Sequence, residues 1–166
     1  MKRNTTLYLT RGALISALYV ALTYVSALLG ISSGVIQFRI SEMLCILPIF
    51  MPEAVIGLTV GCLLANLLTG AVVWDIIFGT VATFLGAVGA RLLRKIPEKV
   101  KFIATLPTLF SNAIIVPFIL IYAYNVPDAY FFLMLTVGIG ELVCATVAGT
   151  LLYYTLKNSP IVKRGL

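Results

Sequence analysis

The chain has 166 residues, 61% of them hydrophobic and 11% charged, with a mean hydropathy of +1.08 and a formal charge of +6. That is too little polar material to cover a water-soluble globule, so the chain belongs in a bilayer. Its basic residues cluster at predicted helix ends without aromatic interleaving, which argues against nucleic acid and for a topogenic role.

Apolar runs broken by charge clusters and Gly/Pro punctuation predict helices over 7–29, 40–51, 53–69, 74–95, 102–124 and 129–156. Each crossing needs about 20 apolar residues, so six leave short loops and a single transmembrane domain over 1–166. The first run is long and lacks a small-residue cleavage site after a short core, so it reads as a retained helix. It carries Ala13, Ala17 and Ala21 at four-residue spacing after Gly12. That smooth face suits close packing against a partner helix or, equally, ordinary internal packing.

The loop 30–39, GISSGVIQFR, follows. Gly30 and Gly34 make it pliable, while Gln37, Phe38 and Arg39 offer an amide, a stacking face and a planar cation, as in a lid over an outward-facing pocket. The plainer alternative is a local pair between Arg39 and Glu42, which as an i,i+3 contact stabilises only slightly. Ser41 stands near the start of the second helix, whose residues rise only about 18 Å and are punctuated by Pro48 and Pro52. Glu53, just after Pro52, reads as a structural carboxylate at a helix start.

The rows Gly57, Gly61, Ala65 in the third helix and Gly79, Thr83, Gly86, Ala90 in the fourth suit packing within the bundle. Asn66 near the outer end of the third, with Trp74 and Asp75 at the start of the fourth, gathers polar and aromatic groups on the outward side. Asp75 also suits a helix N-terminus on electrostatic grounds alone. Asn112 lies halfway along the fifth helix, one turn before Pro117. Glu141 lies near the middle of the sixth, flanked by Gly138 and Gly140. A charged side chain at such depth costs about 2.5–3.5 kcal/mol and needs a reason to remain. At similar depth, Glu141 and Asn112 can line one cavity; the alternative is a protonated Glu141 bonded to Asn112 as packing glue.

Charge fixes the parity. Six crossings put Lys2, Arg3 and Arg11, the cluster Arg91, Arg94, Lys95, Lys99 and Lys101, and Lys157, Lys163 and Arg164 on one side, which the positive-inside rule makes the cytoplasm. Both termini then lie inside. Eleven of the twelve basic residues fall there, leaving Arg39 outside with Asp75, Asp128 and the interfacial Trp74 and Tyr130.

The chain has no histidine, no GxxxxGK[ST] phosphate loop and no GxSxG nucleophile. Catalysis is therefore an unattractive reading, and nucleotide energy would have to come from another polypeptide. Cys45, Cys62 and Cys144 lie inside apolar runs without CxxC spacing and read as small buried hydrophobes, with no metal, cofactor or disulfide framework implied.

The segments IQFRISEMLCILPIFMPEAVIGLTVGCLLANLL and WDIIFGTVATFLGAVGARLLR resemble the queuosine-precursor transporter family, QueT, whose members are substrate-binding S components of energy-coupling factor transporters. The resemblance covers nearly the whole chain and is densest over 35–94. It implies an all-α, six-helix S-component bundle in the cell membrane that captures a 7-deazaguanine from outside and topples to deliver it inward. It also implies a transmembrane coupling subunit and two ATPases as partners, with Ala13, Ala17 and Ala21 facing the coupling subunit.

For a 7-deazaguanine, the N1–H and exocyclic amine form a two-donor edge that one carboxylate matches, with Glu141 as first choice and Asn112 beside it. Trp74 or Phe38 can stack on the ring. Asp75 or Glu42 can accept an aminomethyl cation, and Arg39 can pin the closed lid, with Gln37 and Asn66 nearby. The aminomethyl, cyano and queuine forms share the base edge, so the sequence does not separate them. An S component for another vitamin, or an autonomous carrier driven by protons through Glu141, are the competing readings.

Overall fold

The computed structural model describes residues 5–32 and 37–159; Lys2, Arg3, Gly34, Lys163 and Arg164 lie outside them. All regular elements among the described residues are helical. They are α1 (Thr5–Leu28), a 3-10 segment (Ile40–Ile49), α2 (Glu53–Leu68), α3 (Val73–Leu92), α4 (Leu106–Tyr122), α5 (Tyr130–Glu141) and α6 (Gly149–Leu156). Short 3-10 turns at Leu93–Lys95 and Glu98–Thr105 join α3 to α4, and a π-helical stretch, Leu142–Ala148, joins α5 to α6.

Among the described residues, four continuous stretches are long and apolar enough to cross a membrane: Thr5–Leu28, Val73–Lys95, Glu98–Tyr122 and Tyr130–Leu156. Ile40–Ile49 and Glu53–Leu68 are shorter. The outer surface is lined by exposed Leu64, Phe84, Phe110, Ile139 and Leu151, which suits contact with lipid and not water.

The expected second α-helix is a 3-10 helix instead. Pro48 has no N–H to donate within it, and the tighter winding stretches its residues over about 20 Å. Eight of its ten residues are buried, so it forms the axis of the bundle, touching α1, α2, α3, α6 and the π-helical stretch. Arg91 of α3 donates to the carbonyls of Pro48 (3.0 Å) and Ile49 (3.3 Å), satisfying acceptors at its end. The remaining helices pack in chain order, α1 on α2, α2 on α3, α3 on α4 and α4 on α5.

The small-residue rows of α2 and α3 make these approaches possible. A Cβ on Gly57 would stand 2.7 Å from the Gly12 carbonyl, and one on Gly61 2.8 Å from the Tyr19 Cβ. Gly86 meets Thr108 of α4 in the same way, at 2.6 Å from its Oγ1. Both rows thus serve the bundle, as their spacing suggests. The alanines of α1 do not: Ala13, Ala17 and Ala21 are exposed.

Gly30, at φ +69°, ends α1 in a left-handed cap in which its own N–H bonds Ala27 and that of Ile31 bonds Ser26. Beyond it, the Phe38 N–H donates to the Ile31 carbonyl at 2.9 Å. Gln37–Arg39 then lead into the 3-10 segment.

Candidate functional site

Four polar side chains of α1, Ser16, Tyr19, Thr23 and Ser26, face inward at three- and four-residue spacing. The Tyr19 hydroxyl donates to Glu42 Oε1, and the Cys45 thiol donates to Glu42 Oε2 at 3.2 Å. Thr23 bonds Ser41 at 2.8 Å, and the Ile40 N–H donates to Ser26 at 3.0 Å. Glu42, 1% exposed, is thus locked at the floor of the site with donors on both oxygens.

Arg39 does not pair locally with Glu42. Its guanidinium reaches Asp75 Oδ2 at 3.6 Å, joining the loop to the start of α3. The same oxygen accepts from the Tyr124 hydroxyl at 3.1 Å. Partial burial and the Asp75 carboxylate push the Tyr124 phenol up, so it stays protonated and donates. Asp75 lies in the first turn of α3, where a carboxylate suits the helix N-terminus as expected, and it also meets Arg39 and Tyr124. Asn66 donates to the Asp75 backbone carbonyl at 3.3 Å and supports that corner from behind.

Glu141 and Asn112 are both buried and joined, with Asn112 Nδ2 donating to Glu141 Oε1 at 2.9 Å. Glu141 Oε2 and Asp75 Oδ1 are buried and have no hydrogen-bond partner among the described residues. Such orphaned oxygens are costly and rare in folded proteins. Directly after Glu141 the backbone becomes π-helical over Leu142–Ala148, an irregularity that recurs at functional sites.

Two hollows meet here. The outer one, of about 220 Å³, is lined by Gln37, Arg39, Asp75 and Tyr124 on its polar side and by Val116 and Ile119 of α4. The inner one, lined by Gln37, Arg39, Asn112, Val116 and Glu141, measures only about 10 Å³. Gln37 closes it: its backbone carbonyl lies where a Cβ on Gly140 would stand. Lacking a side chain, Gly140 lets the loop rest directly against the turn that carries Glu141.

Of the residues singled out in the sequence, Gln37, Arg39, Asp75, Asn112 and Glu141 converge on these hollows. Glu42 and Asn66 support them without lining them, and Phe38 lines neither. Trp74 is on the outer surface, 58% exposed and stacked on Phe78 at 5.9 Å. It edges a separate apolar groove between α3 and α4. Glu53 is buried and paired with Arg11 at 3.3 Å, a structural role. Ala13, Ala17 and Ala21 line an apolar groove of about 750 Å³ between α1 and α2. The three cysteines are free and buried, although Cys45 is also a donor to Glu42.

The QueT transporter family profile matches residues 9–158 of this chain. A curated protein, the queuosine precursor transporter QueT of Lactococcus lactis subsp. cremoris (strain MG1363), is 40% identical over 85 residues, 51% of this chain and 50% of that protein. The match therefore spans about half the length of that relative. No solved structure matches the chain. With four helices able to cross a bilayer and a family profile over most of its length, this chain is a membrane protein that belongs to the QueT transporter family, a family of transporters and not of enzymes.

Proposed function

We propose that this protein is the substrate-binding S component of an energy-coupling factor transporter in the cell membrane, and that it captures a 7-deazaguanine precursor of queuosine from outside. In this reading the chain crosses six times with both termini in the cytoplasm, a coupling subunit docks on Ala13, Ala17 and Ala21, and two ATPases supply the energy. The exposed alanine face and its groove support the docking role, because close approach of another helix buries smooth apolar surface at little entropic cost.

The observation that carries the reading is the buried Glu141–Asn112 pair with Oε2 unpartnered beneath Gln37 and Arg39. A carboxylate there accepts two parallel N–H groups from the guanine-like edge, while Asn112 bonds another edge of the ring. In an apolar surround, a ring lacking those donors leaves the carboxylate unmet, which is the basis of selectivity. Because the inner hollow holds about one water, a bicyclic guest requires Gln37–Arg39 to move aside, and Arg39–Asp75 is the link that pins this segment.

The test is calorimetry of the detergent-purified Glu141→Gln variant against deazaguanines. Replacing one acceptor oxygen by an amide donor sets like against like, with an expected loss of about 10- to 100-fold. Wild-type affinity in this variant removes Glu141 from base recognition. Copurification from the native membrane separates this reading from a proton-driven carrier working through the same carboxyl: a coupling subunit and ATPases accompany the former.

A further inference from the structure

The junction between α3 and α4 carries Arg91, Arg94, Lys95, Lys99 and Lys101, and the fold divides them into two groups. Arg91 and Lys101 turn inward. Arg91 donates to the Pro48 and Ile49 carbonyls, and the buried Lys101 amine donates to the carbonyls of Arg94 at 2.8 Å and Ile96 at 2.9 Å, which closes the turn on itself. Arg94, Lys95 and Lys99 are exposed on that closed turn, and none of them makes an ion pair among the described residues. Arg94 reaches only the Arg91 carbonyl, at 3.5 Å. Glu98, the one carboxylate between residues 91 and 105, is taken by Lys157.

A charge bias that orients the chain asks only for a number of cations. Here they also have a particular setting. The apolar stretches Val73–Lys95 and Glu98–Tyr122 are separated by Ile96 and Pro97 alone, so in a bilayer the turn lies at a membrane surface. On α3 the exposed Phe78, Leu85 and Leu92 recur at seven-residue spacing and so share one lipid-facing side. Leu92, 74% exposed, stands two residues, about 3 Å of helical rise, before Arg94. Phe102 is exposed three residues after Lys99. Contact with hydrocarbon therefore runs to the edge of the three cations, which places them at the depth of lipid phosphates. An acidic protein surface would match the charges and not the apolar side chains beside them; a phospholipid matches both.

We propose that this turn binds an anionic phospholipid, its phosphate among Arg94, Lys95 and Lys99 and an acyl chain along Leu92 and Leu85. The site is remote from the two hollows and does not depend on the function proposed above. It selects by net charge: phosphatidylglycerol presents an uncompensated phosphate, while the phosphate of phosphatidylcholine carries its own ammonium. Each Lys or Arg near an anionic surface contributes about a fivefold preference, so three contribute about a hundredfold at most.

The experiment is native mass spectrometry of the full chain in detergent, titrated with phosphatidylglycerol and with phosphatidylcholine of the same acyl chains. The wild type is expected to hold phosphatidylglycerol about tenfold tighter or more. Combining Arg94→Gln, Lys95→Gln and Lys99→Gln should bring the ratio near one. Combining Lys2→Gln, Arg3→Gln and Lys163→Gln removes as much charge elsewhere in the sequence and should preserve it. Equal retention of the two lipids by the wild type, an unchanged ratio in the turn variant, or equal losses in the two variants overturns the proposal. Ready displacement of the lipid by soluble glycerol phosphate also overturns it, since the acyl chain would then contribute nothing. Should the turn variant not fold, the wild-type ratio and the displacement decide. Absence of any lipid preference, with proteins that copurify with the wild type lost from the turn variant, assigns the turn to an acidic protein partner instead.

Discussion

The contact between Gln37 and Gly140 makes a prediction of unusual sign for Gly140→Ala. The added Cβ falls onto the Gln37 carbonyl oxygen and stands 3.0 Å from its carbon. This neighbour is backbone, not the end of a flexible side chain, so the loop must retreat. Overpacking of this kind costs about 1–3 kcal/mol. The helical preference for alanine over glycine, about 0.5–1 kcal/mol, stabilises the fold whether the loop is seated or not, so it does not offset the clash. The seated loop leaves space for about one water beside Glu141 and therefore competes with any bicyclic guest. Weakening it by this amount should raise apparent affinity by about 5- to 150-fold, up to the limit at which the unseated form predominates. Gly138→Ala is the matched control, since its Cβ meets nothing closer than the Ala113 Cβ at 3.9 Å. Both variants are compared with the wild type by calorimetry and by the association rate of a deazaguanine. A drop in affinity for Gly140→Ala, or equal affinities in the two variants, refutes the idea that the seated loop blocks the site.

Two further predictions concern α1. Tyr19→Phe removes the hydroxyl that donates to Glu42, leaving one oxygen of a buried carboxyl unmet at a cost of about 1–3 kcal/mol, and the thermal midpoint in detergent should fall accordingly. An unchanged midpoint would show that Glu42 has another donor. Ala17→Phe fills the exposed groove between α1 and α2 while touching neither hollow, so calorimetric affinity should be retained while cellular uptake is lost. Loss of both would place the groove in folding rather than in docking.

The parts of the fold and site legible in the sequence are those governed by a large local cost. Glu141 and Asn112 stand out because polar groups in an apolar helix are expensive, and the structure joins them by a hydrogen bond. The glycine rows of α2 and α3 stand out because only small residues permit backbones to approach so closely. The polar stripe Ser16, Tyr19, Thr23, Ser26 is equally regular at helical spacing, on the face opposite the alanine row. Arg39–Asp75 was not readable, because its partners are far apart in sequence while Glu42 offered a nearer anion. Tyr124 carried no signal beyond an aromatic residue at a helix end. The 3-10 winding of Ile40–Ile49 and the π-helical stretch after Glu141 are departures from the α-helix that hydrophobic periodicity does not encode.

The two faces of α1 connect the site with the proposed docking surface. Its inner face holds the start of the 3-10 segment through Tyr19 to Glu42, Thr23 to Ser41 and Ser26 to the Ile40 N–H, immediately after Gln37–Arg39. Its outer face presents Ala13, Ala17 and Ala21, on the other side of a helix about 10 Å across. Between them the helix is a continuous hydrogen-bonded rod with no proline, so it moves as a unit. A partner that shifts α1 therefore pulls on the residues that close the inner hollow, and a guest that unseats Gln37–Arg39 pushes back on α1. In the proposed function, substrate and partner act on the same rigid element from opposite sides, so any difference in α1 position between loaded and unloaded forms gives the docking surface a way to distinguish them.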